Sequence, residues 1–300
     1  MSNVLVVGSV ALDDIEAPTG SAKAVLGGAA CYFAIASSFF ATVRAVGVAG
    51  SDFPQEHLDF LAAKGVDIQG IHRADGPTFR WGGRYDASMN RRDTLFTELG
   101  VFEHFDPELP EAYRDSELVF LANIHPSLQL RVLEQARAPR FAAMDTMNFW
   151  IEGTPEELHK TLSRVDGLII NDEEAQQLTG ETNLVLAAER IRALGPHTVV
   201  IKRGEHGALL FDSEGIFAAP AFPLREVRDP TGAGDTFAGG FMGALAHADP
   251  GDPQALRQAV IYGSALASFC VERFGIDRFR NLERDEVEAR FEEFRALTRF

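Results

Sequence analysis

Apolar residues along this chain fall into two patterns. Short, uninterrupted runs rich in valine, isoleucine and leucine read as buried strands: VLVVGS (4–9), VRAVGV (43–48), ELVFLAN (117–123), RFAAMD (140–145), GLIIN (167–171), TVVIKRG (198–204) and ALLFD (208–212). Between them the spacing changes to three and four. In PEELHKTLSRV and NLVLAAERIRALG the apolar positions share one helical face, and Gly195 supplies a C-terminal stop. Continuous apolar strands separated by helices predict a mostly parallel sheet covered on both faces. Ligands of such sheets sit beyond the carboxyl ends of the strands. Segments 8–14, 123–126, 145–148 and 171–174 all follow strands directly.

Two turn-rich segments break the alternation. EAPTGSAKAVLGG (16–28) and PTFRWGGRYDASMNRRDTLFTELG (77–100) carry short-strand patterns. In the second, Phe79, Trp81, Gly83 and Tyr85 occupy one side of a period-two run, and residues 94–99 follow a polar turn, as in a hairpin. Inserted into an α/β chain, these pieces predict a small β-sheet standing off the main body as a cover. The final RDEVEARFEEFRALTRF predicts an amphipathic helix whose Val287, Phe291, Phe294 and Leu297 stripe packs on the core. With no internal repeat or linker, 1–300 reads as one domain with lid segments at about 14–26 and 77–103.

Composition narrows the partners. Three hundred residues, 46% of them hydrophobic, suffice for a large core. A net charge of −16 argues against nucleic acid or an anionic membrane as partner, because both need basic faces. It leaves room for a nucleotide, whose phosphates a few amides and one or two cations can hold. The opening MSNVLVVGSV reads as a strand entering a glycine turn, not as a secretion signal. Residues 24–43 are uncharged, but Gly27, Gly28, Ser37, Ser38 and Thr42 make them a loop and a buried helix rather than a membrane span. Cys31 and Cys270 have no CxxC partner and read as reduced thiols, so the expected location is cytoplasmic.

The chemistry concentrates in RDPTGAGDTFAGGF (228–241). Small residues at a helix start expose unpaired amides and a partial positive charge of about half a unit, which favours phosphate. Neither GxxxxGK[ST] nor a GxGxxG after the first strand occurs, which removes a P-loop and a dinucleotide-dependent oxidoreductase. Asp235 directly follows Gly232-Ala233-Gly234, where it should repel an anion. From these residues alone, the turn is either a phosphate cradle or a plain helix start, with Asp235 an ordinary first-turn acid.

The full string DPTGAGDTFAGGF resembles the second signature of the ribokinase-like (PfkB) carbohydrate and nucleoside kinase family. The resemblance extends over nearly the whole chain. GSVALDDI resembles the family's substrate-binding aspartate segment, LGGAACYFAIASS its Gly-Gly motif and helix, INDEEAQQLTG its N-x-x-E motif, and VVIKRGEHGALLF its nucleotide-loop strand pair. It implies a three-layer α/β sandwich with a mostly parallel central sheet and a small β-sheet lid. It also implies ATP as co-substrate with Mg²⁺. On that basis the amides of Gly232, Ala233 and Gly234 bind the transferring γ-phosphoryl group, and Asp235 faces the attacking hydroxyl and takes its proton.

The resemblance also implies that Asn171 and Glu174 hold Mg²⁺ largely through water, although NDEEAQQL equally describes a capped helix start. Lys202, Gly204, Glu205 and Gly207 match the nucleotide's phosphate and ribose loop, and Ser264 a position near the adenine. Asp229 and Thr231 match residues that give oxygens to a monovalent cation, potassium, in several members.

For the acceptor, Asp13 is the residue to grip vicinal hydroxyls, with Asp14 the alternative. Gly27 and Gly28 let backbone approach, or form a plain turn, and Asn123 adds a polar contact. Ribokinase proper continues differently after Gly-Gly, whereas RRDTLFTELGVFEHF is similar to the lid of nucleoside-type members. Phe79, Trp81, Phe96 and Phe102 either stack on a base or line the cover. Arg91 and Arg92 are exposed hairpin charges or contacts to an acidic acceptor. The expected activity is phosphorylation of a sugar hydroxymethyl group. The alternatives are a nucleoside kinase and a non-catalytic sugar or nucleotide sensor. The exposed edges of the lid are a candidate homodimer surface.

Overall fold

The computed structural model describes residues 2–299. The strands are, in chain order, β1 (Asn3–Val7), β2 (Ala11–Ala17), β3 (Gly20–Gly27), β4 (Thr42–Gly50), β5 (Val66–Ala74), β6 (Phe79–Tyr85), β7 (Arg92–Glu98), β8 (Leu118–Leu121), β9 (Phe141–Met144), β10 (Gly167–Asn171), β11 (Thr198–Lys202), β12 (Ala208–Asp212) and β13 (Gly215–Ala219). Nine of them form one sheet in the order β13-β12-β11-β10-β9-β8-β1-β4-β5. Pairing is parallel except where β12 meets its two neighbours.

The apolar runs explain the three layers. Along β1, Val4 and Val6 enter one core and Leu5 and Val7 the other. Leu118 and Phe120 on β8 divide from Val119 and Leu121 in the same way. Alternate side chains of a strand point to opposite faces, so a continuous apolar strand feeds both layers. One layer contains the helices Ala29–Ser37, Ala233–Leu245 and Pro253–Cys270; the other contains Pro126–Gln135, Pro155–Leu162 and Leu184–Leu194. The strand order reverses at β1, so the crevice for ligand lies at the carboxyl end of β1 and its neighbours.

From there the chain leaves the main sheet. β2, β3, β6 and β7 form the separate four-stranded lid in the order β3-β2-β6-β7. The hairpin reading of 77–100 holds: β6 and β7 pair antiparallel. The lid strands span 11–27 and 79–98 rather than 14–26 and 77–103, because β2 begins as soon as the glycine turn after β1 is made. Asp13 and Asp14 therefore lie within a strand and not in a loop.

β5 and β13 escape the apolar-run reading. Both are edges of the large sheet, one face half open to solvent, so their sequences, VDIQGIHRA and GIFAA, lack a long apolar run. In the last helix, Arg284–Leu297, Val287, Phe291 and Phe294 are buried as expected, while Leu297 is half exposed at the frayed end and Phe300 lies outside the described residues. No helix among the described residues is long and apolar enough to cross a membrane. Both cysteines are free and buried.

Candidate active site

The helix Ala233–Leu245 starts on Gly232, which adopts the left-handed conformation (φ 73°, ψ 1°). A β-carbon at Gly232 would run into the Tyr32 ring, so the turn admits only glycine. The Ala233 N–H turns back to the Pro230 carbonyl at 3.2 Å. The N–H groups of Gly232 and Gly234 have no backbone acceptor among the described residues and stay free for an anion. Lys202 Nζ stands over the same turn, 3.0 Å from where a Gly234 β-carbon would be. The turn thus presents two free amides and an ammonium, with the Ala233 N–H used within the turn itself.

Asp229 braces this loop from behind. Its Oδ1 accepts from the Thr231 N–H at 2.9 Å and its Oδ2 from the Gly275 N–H at 2.8 Å. The Thr231 hydroxyl donates to the Tyr85 hydroxyl of the lid at 3.2 Å. Both Asp229 oxygens are thereby satisfied within the chain.

Asp235, half-buried in the first turn of the helix Ala233–Leu245, and Asp13, buried on β2, are near enough for the charge of one to act on the other. Burial first, and the negative charge of Asp145 second, push the Asp235 carboxyl up to about 7, against the pull of Lys202 and Arg92. Burial, followed by the charges of Asp229 and Asp235, pushes Asp13 up to about 8. Asp14, one residue on, faces the outside of the lid: its Oδ1 accepts from the Ala24 N–H at 2.8 Å and meets Arg80 at 3.4 Å. The alternation of a strand places only one of the two neighbours inside. Gly27 and Gly28 make room: β-carbons there would overlap the Asp13 carboxylate and the Ser9 carbonyl oxygen.

Asn171 and Glu174 do form the capped helix start. Asn171 Oδ1 accepts from the Glu174 N–H and Glu174 Oε2 accepts from the Asn171 N–H, each at 2.8 Å. This fixes Glu174 facing Asp145, and burial plus the Asp145 charge push it up to about 7. Asp145 was not among the residues singled out, although it ends a strand run in just the region expected to bind ligand. Burial raises its pKa, and Lys202 offsets this only in part, because the Nζ to Oδ2 distance of 4.0 Å is long for an ion pair. For Lys202, burial would lower the pKa, but Asp145, Glu174 and Asp235 outweigh it and raise it.

Buried acids whose repulsion is incompletely relieved fit a divalent cation. The buried Thr146 hydroxyl beside them has no partner, and no trio of His, Cys, Asp or Glu among the described residues makes an all-protein cage. Few, hard oxygen donors suit Mg²⁺, which keeps most of its water.

On the nucleotide side, Gly204 (φ 52°) and Gly207 (φ 82°) shape the turn between β11 and β12, closed by the Arg203 N–H on the Gly207 carbonyl at 2.8 Å. Glu205 sits at its exposed tip. Asn90 Nδ2, from the turn of the lid hairpin, donates to Glu205 Oε1 at 3.2 Å. Ser264 is buried in the helix Pro253–Cys270, which packs on Ala233–Leu245 and against β12 and β13.

Just after β8, Asn123, the residue expected to contact the acceptor, positions aromatic groups. Its Oδ1 accepts from Trp150 Nε1 at 2.8 Å and its Nδ2 donates to Met147 Sδ at 3.0 Å. Trp150 meets His125 at 5.1 Å and Phe149 at 4.8 Å between ring centroids, both edge-on. Phe149 is 62% exposed. This ledge follows β8 and β9, and only the aromatic string NFW hints at it in the sequence. Of the four lid aromatics, Phe79 stacks on Phe102 at 5.2 Å, Phe102 continues to Phe105 at 5.5 Å, and Phe96 lies over Gly82. Phe79, Phe102 and Phe105 pack on one another, while Phe96, in register with Gly82, shares the face of Asp14. Trp81 alone stands level with Asp13 on the neighbouring strand, with Arg92 5.0 Å from its ring centroid.

The sequence pattern of the pfkB family carbohydrate kinases matches residues 1–280. This chain is a pfkB-family kinase. The kinase is 31% identical over 288 residues to a cytidine kinase of Thermococcus kodakarensis, covering 92% of this chain and 98% of that protein. Its fold matches a Burkholderia thailandensis nucleoside kinase in complex with inosine, with a TM-score of 0.78 at 23% identity, covering 97% of each chain. It also matches a ribokinase-type protein of E. coli in complex with ATP and Mg²⁺, with a TM-score of 0.80 at 20% identity, covering 98% of this chain and 100% of that one. The carbohydrate-kinase fold expected from the motifs is therefore present, and the kinase acts on a sugar or nucleoside hydroxyl.

Proposed function

We propose that this kinase transfers the γ-phosphoryl group of ATP to the hydroxymethyl group of a nucleoside, in place of the free sugar that the motifs first suggested. The observation that carries this reading is the pair Trp150 and the exposed Phe149, in the helix Asn148–Gly153 that follows β9, with Trp150 bonded to Asn123 beyond the carboxyl end of β8. Flat aromatic faces suit stacking on a base. The similarity to a cytidine kinase across most of both chains supports it.

The residues divide the work by their electrostatics. Asp13, with a pKa of about 8, can both donate and accept a hydrogen bond near neutral pH and so hold a ribose diol. Asp235, at about 7, lies near the working pH, where a general base is most effective. It aligns the attacking hydroxyl and receives its proton as the loose transition state passes. The Gly232 and Gly234 amides and Lys202 take up charge on the phosphoryl oxygens. Mg²⁺, held near Asp145 and Glu174 largely through its water, with Asn171 fixing Glu174, would neutralise the β- and γ-phosphates. The lid excludes water that would otherwise accept the phosphoryl group.

The intact hole and Asp235 speak against a non-catalytic sensor. Each Asp229 oxygen accepts one backbone N–H, and these contacts lend the expected potassium site no support. The exposed Leu95 and Leu99 on the lid edge support a lid-to-lid homodimer, which a monomer by light scattering at micromolar concentration would overturn.

The test is ADP release from ATP and Mg²⁺ across nucleosides, pentoses, hexoses and sugar phosphates, with Asp235→Ala as blank. Nucleosides should give the highest kcat/KM. A free sugar or sugar phosphate turned over more efficiently would replace this acceptor.

A further inference from the structure

Regular pairing of β8 with β9 ends at Leu121 and Met144, just before the two chains deliver Asn123 and Asp145. The carbonyl groups beyond that point are not left open. Gln129, in the helix Pro126–Gln135, is completely buried. Its Nε2 donates to the carbonyl oxygens of Leu121 at 3.2 Å, Ala122 at 3.0 Å and Asp145 at 2.9 Å. Leu121 O also accepts from the Asp145 N–H at 3.0 Å, but Ala122 O and Asp145 O have no backbone donor among the described residues. One side-chain amide thus does here what a neighbouring strand does elsewhere in the sheet.

Each tied carbonyl adjoins a group of the site. Asp145 faces Glu174 and Lys202; its Oδ1 is taken by the Thr146 N–H at 2.8 Å, so Oδ2 is the oxygen toward Lys202. Ala122 precedes Asn123, whose side chain holds Trp150 and Met147 from the far side of β9. The two strand ends are therefore joined twice, through the main chain by Gln129 and through side chains by Asn123. Packing alone does not call for an amide at 129. The same helix already buries Val132 in the core, and methionine would fill a similar volume. What an apolar side chain lacks is a donor for Ala122 O and Asp145 O, which are costly to bury unpaired.

We propose that Gln129 is a positioning residue of this active site: its amide fixes the separation of the β8 and β9 ends, and so keeps Asp145 in register with Asn123 and Trp150. Buried entirely, Gln129 does not reach a ligand. It acts through the main chain of residues that do. Phosphoryl transfer depends almost wholly on positioning and electrostatics, and an error of about 1 Å at the reacting groups can cost 10²-fold in rate. A tie between the metal-side acid and the aromatic pair guards against that error.

This inference rests on the proposed metal role of Asp145 and Glu174, and the experiment separates the two. Calorimetry compares ADP binding in Mg²⁺ with ADP binding in EDTA, for wild type, Gln129→Met, Gln129→Asn and Val132→Ala. Val132 is fully buried in the same helix and far from the tied carbonyls in role, so Val132→Ala reads stability loss alone. Wild type should gain affinity with Mg²⁺. Gln129→Met should lose most of that gain, roughly tenfold in affinity, with binding in EDTA close to wild type. Gln129→Asn, one methylene too short to span the carbonyls, should lose an intermediate part. Val132→Ala should lower the Tm and keep the whole gain. With a nucleoside acceptor, Gln129→Met should lower kcat about 10²-fold and raise the acceptor KM, whereas Val132→Ala should change neither. A full gain in Gln129→Met or Gln129→Asn would overturn the role of Gln129 and leave the metal reading standing. So would a loss in Val132→Ala equal to that in Gln129→Met. Absence of any gain in wild type would overturn both.

Discussion

The carboxylate of Asp13 occupies the space that a side chain on Gly27 would fill, one strand away across the lid. Glycine at this position is thus a condition for the Asp13 placement on which the proposed acceptor grip depends. Gly27→Ala should push Asp13 aside and raise the acceptor KM by about tenfold or more, while ADP·Mg²⁺ affinity stays as in wild type. Calorimetric titration with nucleotide and initial-rate kinetics with acceptor read the two separately.

Asp235→Ala should lower kcat by roughly 10²–10⁴ with ATP still bound. Unchanged turnover would remove Asp235 from the chemistry.

A base must be ionised to work. With its pKa at about 7, Asp235 is largely protonated at mildly acidic pH, so kcat should rise with pH and level off above about 7, not near the ordinary carboxylate value of 3.8. A pH–rate profile that is already flat from pH ~5 upward, a range expected of an unperturbed carboxylate, would contradict this assignment.

The same acids make stability depend on pH in an unusual direction. Between the ordinary value of 3.8 and the folded values of about 8 for Asp13 and about 7 for Asp235, the folded chain binds more protons than the unfolded one. Their contribution is complete below the ordinary value and is lost as pH rises through the folded values. The Tm of the ligand-free protein should therefore fall from about pH 5 to about pH 8, and Asp13→Asn should flatten that slope. Scanning calorimetry of both proteins measures it.

Two further substitutions divide packing from binding. Gly232→Ala places a methyl group in the Tyr32 ring at a φ of 73°, and should cost ~2 kcal/mol or more in urea unfolding as well as disabling the hole. Phe149→Ala, at an exposed position, should leave the Tm unchanged and raise the KM for a nucleoside about tenfold, the worth of one base stacking contact.

The sequence was most informative where function depends on neighbours in the chain. DPTGAGDTF specifies a turn, a helix start and an acid within a few bonds of each other, and the structure builds them as read, with the refinement that the Ala233 amide serves the turn. N-x-x-E encodes its own capping box, so the backbone position of Glu174 follows locally. The resemblance favours Asp13 over Asp14 for the acceptor; in the structure the two adjacent strand residues face opposite ways, with Asp13 buried and Asp14 bonded to Ala24 and Arg80.

Less was legible where partners come from distant segments. Asp145 carries no motif, and its importance appears only once β9 and β11 bring it near Lys202. The same holds for Gln129, which in the sequence is one polar position of a helix and in the fold is buried against the ends of β8 and β9. The edge strands β5 and β13 were missed because half-exposed strands need no apolar run.

By itself, then, the sequence determined the layered α/β architecture, the hairpin cover and the position of the phosphate turn, because apolar period and glycine turns are local properties of a chain. The tertiary structure alone decided which acids share one buried site, in which direction their pKa values move, which lid aromatics pack and which stands level with Asp13, and where the tip of the lid lands. Those outcomes depend on burial and on distances through space, and residues far apart in the chain do not encode either one until the sheet order brings them together.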